Sequence, residues 1–439
     1  MTRSQRDGLY LLVLGIAVFV LFGSALKFIA ADSMQDFKAV YYGTRCLLQR
    51  CDPYSQSELM RLYQAESGEP SSDSIQRRKS ETLYVNLPPT FLFVAPFAML
   101  PLGLASLLWM ILTAACLILA AFLTWNLGAV YAPIISGGLI GLLLANSTIV
   151  LGNGNPAGIV IALCVIAVWC FLRERFVLTG VLCLAISLAM KPHDAILVWL
   201  CFLLAGGVHR KRALQSLAVT IALGLVATLW LEQAAPHWMP ELRSNLAEIS
   251  ARGGNNDPGP AGPTSIRRSP EVITDLQAVV SVFRDDPGIY NSVSYLVCGT
   301  LLLVWLIVTL RSCRSLTLTW FALAAVASLT LLVTYHRAYD AKILLLTVPA
   351  CAMLWAEGGA IAKVALLVNT AGLLFTGEFS LAMFFLPVKN LHIGTAGLFD
   401  KIQMVLLMRP APLILLVMSI FYLWIYLRRA RGEGAVTEH

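Results

Sequence analysis

A series of apolar stretches, most of them close to twenty residues long, runs through nearly the whole chain and limits what it can fold into. They lie near 8–31, 103–126, 131–150, 156–172, 176–190, 192–207, 213–231, 290–311, 316–334, 341–356, 360–377 and 410–427. A helix of about 20 residues crosses the ~30 Å hydrocarbon core of a bilayer and satisfies its own backbone. The alternating pattern of a membrane barrel is absent, so the expected fold is an all-α integral membrane protein, a polytopic helical bundle crossing about twelve times. Composition agrees: 58% of the 439 residues are hydrophobic and 13% charged, which leaves too little polar material for a soluble surface. The first stretch has no small-residue cleavage site and many successors, so it reads as a retained anchor.

The net charge of +7 is a topology signal more than a sign of an anionic partner. Arg3 and Arg6, Arg173 and Arg175, His209 to Arg212, Arg311 and Arg314, and Arg428, Arg429 and Arg431 flank apolar stretches, and the positive-inside rule places them all in the cytoplasm. Nucleic acid has no evident site. An odd number of crossings must then separate an outer loop at 32–87 from Arg173, yet four apolar segments lie between. Pro88 to Pro101, with four prolines and barely enough length, is the segment expected to be re-entrant or interfacial; the alternative is that it crosses and a later one does not. With the first choice both termini are cytoplasmic and 1–439 is a single membrane domain with outer loops at 32–87 and 232–289. The polar turns then gather on one outer face, as an active site there requires.

Each polar cluster has two readings. Asp32 and Asp36 follow the first helix; Asp36 opens DFKAVYYGTRCLLQR, an amphipathic helix with Phe37, Val40, Tyr41, Leu47 and Leu48 available for one face. A carboxylate in that first turn is favoured by the helix dipole, whether it serves as a cap or as a base. Lys191 either snorkels to the headgroups or, with Pro192, His193 and Asp194, forms a cluster able to meet a phosphate where water is scarce. Tyr335, His336, Arg337, Tyr339 and Asp340 read either as an interfacial aromatic belt with Arg337 paired to Asp340, or as a second phosphate-binding element. Asn153 and Asn155, each following a glycine ahead of Pro156, suit a turn and also suit sugar hydroxyls. The run from Arg252 to Pro263 reads most simply as a mobile loop. Cys46 and Cys51 are marginally spaced for a disulfide. No metal-ligand or nucleotide-loop motif is present, so neither a metal nor another cofactor is expected.

Four segments taken together, DFKAVYYGTRCLLQRCDPY, LPPTFLFVAPFAMLPLG, GNGNPAGIVIAL and the helix ending AMKPHD, resemble in order and approximate spacing the polyprenol-phosphate-mannose-dependent mannosyltransferases of glycosyltransferase family 87, which have the GT-C fold. The resemblance runs from about residue 8 to 210, and YHRAYD extends it; 232–310 and the C-terminal third are similar mainly in hydropathy. It implies an inverting transfer of a sugar, usually mannose, from a polyprenyl phosphate to a lipid or glycan hydroxyl on the outer face of a bacterial cytoplasmic membrane. Asp36 matches the acidic residue proposed there as general base, with Asp32 a second candidate. Lys191 matches a Lys-Pro element and His336 a histidine associated with the lipid phosphate; Arg337 is expected beside it. Asn155 matches the Asn of a GQxN pattern whose Gln this chain lacks, which weakens the case for Asn153, and His193, Asp194, Tyr335, Tyr339 and Asp340 are further sugar or acceptor candidates. Two other classes remain: a polysaccharide ligase or polymerase using a lipid diphosphate, and a secondary transporter.

Overall fold

The computed structural model describes residues 1–30, 33–67, 83–263, 273–312, 315–377 and 397–436. They form nineteen α-helices: α1 (Arg3–Ile29), α2 (Gln35–Leu48), α3 (Gln56–Ser67), α4 (Pro89–Ala98), α5 (Leu102–Gly128), α6 (Pro133–Ala145), α7 (Thr148–Asn153), α8 (Ala157–Leu172), α9 (Val177–Met190), α10 (Pro192–Ala205), α11 (Gly207–Ala234), α12 (Trp238–Ser250), α13 (Gln277–Phe283), α14 (Pro287–Arg311), α15 (Leu316–Val333), α16 (Val348–Glu357), α17 (Gly359–Phe375), α18 (Leu398–Met408) and α19 (Pro410–Val436). A 3-10 run, Ala338–Thr347, leads into α16. The bundle is all-α and polytopic, with seven helical segments long and apolar enough to cross a membrane. Among the described residues, each of the twelve expected stretches is mainly helical.

Prolines set many of the boundaries. α4, α6, α10 and α14 carry Pro in the first turn, where its missing N–H removes no helical bond. At Lys191 the backbone turns out of the helix (φ −141°, ψ 80°), the extended region that a following proline imposes, and α9 and α10 are thereby separated by one residue. α4 is ten residues long, about 15 Å, half the thickness of a bilayer core.

Burial separates the inner helices from the lipid-facing ones. The apolar windows of α15 and of 338–357 are 78% and 89% buried, whereas those of α11 and α14 are each 17% buried. Leu225, Leu229 and Leu296 are among the apolar side chains that the outer helices expose, an arrangement that hydrocarbon tolerates and water does not. α1 is held by backbone proximity: a Cβ on Gly15 would lie 2.3 Å from the Cα of Gly141, and one on Gly137 would lie 1.9 Å from the Gly8 carbonyl oxygen. Gly137 and Gly141 form a GxxxG face on α6 that lets the two helices meet without side chains between them.

Three expectations change. The 131–150 stretch is broken at Asn146 and Ser147 into α6 and α7. The 341–356 stretch begins as a 3-10 run, in which the ammonium of buried Lys342 donates to the Ala338 carbonyl (3.0 Å). On α2, Phe37, Val40, Tyr41 and Leu47 are buried as expected, but Leu48 at the helix end is exposed. Cys46 and Cys51 are joined by a disulfide, with their Cα atoms 5.0 Å apart.

The α1–α6 contact gives a direct test. Gly15→Leu should lower stability by about 1–3 kcal/mol or more through overpacking, whereas Gly299→Ala in α14, with no heavy atom within 4 Å of the added methyl, should leave it unchanged or raise it by up to about 1 kcal/mol. Thermal melts of the two variants in detergent would check this.

Candidate active site

The turn that joins α7 to α8 is the seat on which α2 rests. The Met34 amide donates to the Gly152 carbonyl (2.6 Å), and the Trp109 indole donates to the Gly154 carbonyl (2.8 Å). Gly154 has φ +66°, and a Cβ there would lie 2.7 Å from the Cβ of Phe37, so this position requires glycine both for its backbone angle and for the close approach of α2. Phe37 packs on Trp109 with ring centroids 5.1 Å apart. Asp36, in the first turn of α2, is thereby brought against Asn155, whose Nδ2 donates to Asp36 Oδ2 at 2.9 Å. Asn155 Oδ1 accepts from the Ala157 amide (2.8 Å), which fixes the side chain with its NH2 toward the carboxylate.

A second cluster forms where Lys191 meets the segment after α15. Lys191 Nζ lies 2.9 Å from Asp340 Oδ1 and 3.3 Å from Asp194 Oδ2, and 5.4 Å from the centre of the Tyr339 ring. The other Asp340 oxygen accepts from the Arg337 amide (2.8 Å). Asp194 Oδ1 faces two imidazoles, His336 Nε2 at 3.4 Å and His193 Nε2 at 3.8 Å. His336 Nδ1 is 2.8 Å from the Thr334 carbonyl. The Arg337 guanidinium lies over the Tyr335 ring (5.2 Å) and donates to its hydroxyl. The expected alternative, a guanidinium paired with Asp340, is replaced by the Lys191–Asp340 pair.

These charges change one another's ionisation. Burial alone would push the Lys191 ammonium down, but Asp194 and Asp340 hold it above its ordinary value. Burial likewise pulls the His336 imidazole down, and the Asp194 and Asp340 carboxylates more than offset this, so it too stands above its ordinary value.

Both clusters open into one cavity of about 430 Å³. Of the residues expected from sequence, Asp36, Asn155, Lys191, His193, Tyr335, Arg337, Tyr339 and Asp340 line it. Asn153, Asp194 and His336 do not: Asp194 and His336 are buried behind the wall, and Asn153 ends α7. Asp32 lies outside the described residues. His193, Asp194 and His336 have donor atoms within 4.8 Å of one another, a spacing that would suit a metal ion; the Lys191 ammonium already supplies positive charge to that carboxylate. Cys46, Cys51 and Glu58 are similarly close, but the two sulfurs are bonded to each other.

Sequence reasoning missed Asn86, Asn255 and Asn256 on the cavity wall. The last two belong to the glycine-rich run expected as a mobile loop, and the available signal was the adjacent Asp257, which orders it. It also missed a strap at 273–277. There the Thr274 amide donates to the His336 carbonyl (3.0 Å), the Leu276 amide to the Leu332 carbonyl (3.3 Å), and Gln277 Nε2 to the Val333 carbonyl (3.2 Å). Asp275 on this strap is buried, with Oδ1 accepting from the Ala278 amide (2.9 Å). Burial pushes its carboxyl up to about 6 against the pull of that amide and of Arg409.

A carboxyl raised in the fold favours folding below its unfolded value of 3.8, and that contribution is lost as pH rises to about 6. The melting temperature of the native protein relative to Asp275→Asn should therefore fall as pH rises across this window.

Comparison with known proteins gives one match: the model of glycosyltransferase family 87 matches residues 84–335, more than half of the chain. No curated protein and no solved structure matches.

Proposed function

The chain belongs to glycosyltransferase family 87 and is a glycosyltransferase, and from that premise we propose that it moves a sugar, mannose by the family resemblance, from a polyprenyl phosphate to an acceptor hydroxyl. The observation that carries this reading is that Asp36 and Arg337 line the same cavity. In a single displacement the hydroxyl oxygen bonds to the anomeric carbon while the bond to phosphate breaks; the proton goes to a base and the bonding pair leaves with the phosphate, inverting the anomeric centre. Asp36 is the base, and Asn155 holds its carboxylate in place. Arg337 is the phosphate clamp, because its guanidinium is paired with a tyrosine hydroxyl and not with a carboxylate. Lys191 has two carboxylates of its own, and His336 lies behind the wall, so both act mainly by fixing the segment that carries Arg337.

The charge count favours a monophosphate donor over a lipid diphosphate. Among the described cavity residues, Arg337 is the permanent cation without a carboxylate partner, and a diphosphate would bring a further negative charge to be neutralised. The apolar flanks of α4 suit the polyprenyl tail. The basic turns, read by the positive-inside rule, support a cavity on the extracytoplasmic side of the membrane.

With purified protein in proteoliposomes and a polyprenyl-phosphate mannose donor, Asp36→Asn should lower turnover by about 10²–10⁴-fold while donor binding persists. Asn155→Ala should lower turnover less, and Arg337→Ala should weaken donor binding. Near-normal turnover in Asp36→Asn would remove it as the base.

A further inference from the structure

Part of the cavity wall carries no charge. Asn86 comes from the extended segment before α4, and Asn255 and Asn256 come from the loop after α12, with Leu246 and Ile249 of α12 between them in sequence. None of these segments contributes to the Lys191–Asp340 cluster. We propose that Asn86, Asn255 and Asn256 bind the acceptor, and that the acceptor group they recognise is a neutral sugar residue. The inference rests on the transferase reading above and goes beyond it by assigning residues to the acceptor and a chemical class to the group bound.

The loop is built in advance of any ligand. Asp257 is buried and closes it from both sides, its Oδ2 accepting from the Gly253 amide (2.7 Å) and its Oδ1 from the Gly259 amide (2.8 Å). The Asn256 amide donates to the Ile249 carbonyl (2.8 Å), which ties the loop to the end of α12. Gly262 lies so close that a Cβ there would be 2.1 Å from the Asp257 carbonyl oxygen. Ser281 Oγ donates to the Pro258 carbonyl (2.9 Å) and anchors the loop to α13. Positions 255 and 256 are therefore held at the cavity by the backbone around them, and little ordering remains to be done when a ligand arrives.

The chemistry of the wall selects the ligand. An amide side chain offers both donors and an acceptor, which matches a hydroxyl that also does both. A phosphoryl or carboxylate group would call for cations, and the permanent cations of this cavity, Lys191 and Arg337, come from other segments, the first already held between two carboxylates. Leu246 and Ile249 supply apolar surface for the C–H face of a sugar ring. A phosphate held at Arg337 leaves the hydroxyl-bearing partner as the group for the amides to meet, with its nucleophilic oxygen directed to Asp36. Asp257 is a positioning residue: it touches no substrate and sets where the two asparagines stand.

The test uses the full chain in proteoliposomes, a short-chain polyprenyl-phosphate mannose donor, and octyl α-mannoside, octyl β-glucoside and octyl β-galactoside as acceptors, with a Ser/Thr-rich peptide alongside. The native protein should glycosylate at least one glycoside in preference to the peptide. The double variant Asn255→Ala, Asn256→Ala should raise that glycoside's KM about ten-fold or more, as loss of two hydrogen bonds implies, with donor KM and melting temperature unchanged. Asn86→Ala should act in the same direction, and Asn256→Gln should recover part of the loss. An unchanged glycoside KM, or an equal rise in donor KM, would overturn the acceptor assignment while leaving the transferase reading intact. Transfer to the peptide in preference to every glycoside would overturn the neutral-sugar class alone. A native protein that transfers to nothing and does not bind the donor would overturn the transferase reading and this inference together.

Discussion

The Lys191 ammonium, closed between Asp340 and Asp194, is the interaction on which the rest of the site depends. Both carboxylates are almost completely buried, and without it Asp340 would keep only the Arg337 amide and Asp194 only its imidazole neighbours; breaking such a pair from one side commonly costs about 3–5 kcal/mol. The contact also distributes order. Asp340 uses its second oxygen to hold the Arg337 amide, and Asp194 turns its second oxygen to His336, so one cation aligns the helix corner at Pro192 with the segment that follows α15. The strap at 273–277 closes over that segment from the other side through backbone hydrogen bonds. Arg337 is thus fixed at its backbone while its guanidinium keeps to a neutral tyrosine partner, as the proposed role of phosphate clamp requires.

Asp36 reaches the same cavity by a different physical route. It is carried on an amphipathic helix, and the position of that helix is decided by close backbone approach at Gly154 and by the Phe37–Trp109 contact. Asn155, next in the chain after that glycine, then meets the carboxylate. The turn reading of the GNGN run holds, and Asn155 depends on it: the turn delivers the amide, and the amide donates to Asp36. The glycine-mediated packing of α1 on α6 plays the corresponding part for the helix that leads into α2.

Much of this was legible in the sequence, and the parts that were not have identifiable causes. Helix length and hydrophobicity are local properties, so most of the twelve apolar stretches and of the buried face of α2 could be read directly, the breaks at Asn146 and Ala338 and the exposed Leu48 excepted. Asp36 was favoured by its place in the first turn of an amphipathic helix together with the family resemblance, and the Lys191 and Arg337 clusters by ionisable groups gathered at helix ends. Partner identity was not readable, because Lys191 and Asp340 are 149 residues apart and Asp36 and Asn155 are 119 apart; spacing placed Arg337 beside Asp340, and a residue from another helix took that carboxylate. His336 and Asp194 were expected at the site's surface and lie buried behind the cavity wall, since a sequence shows that a group is ionisable and not how deep it sits. Asn255 and Asn256 were hidden in a glycine-rich run whose order comes from one buried aspartate.

The central claim is that the cavity holds a lipid-phosphate sugar between Arg337 and Asp36. The most direct measurement is a cryo-EM structure of the full chain in nanodiscs with a non-hydrolysable polyprenyl-phosphonate mannose. The account predicts the phosphonate oxygens within hydrogen-bonding distance of the Arg337 guanidinium and the sugar ring beside Asp36, with room between the anomeric carbon and that carboxylate for an acceptor oxygen. A headgroup bound outside this cavity, or a phosphonate seated away from Arg337 with Asp36 remote from the sugar, would contradict it.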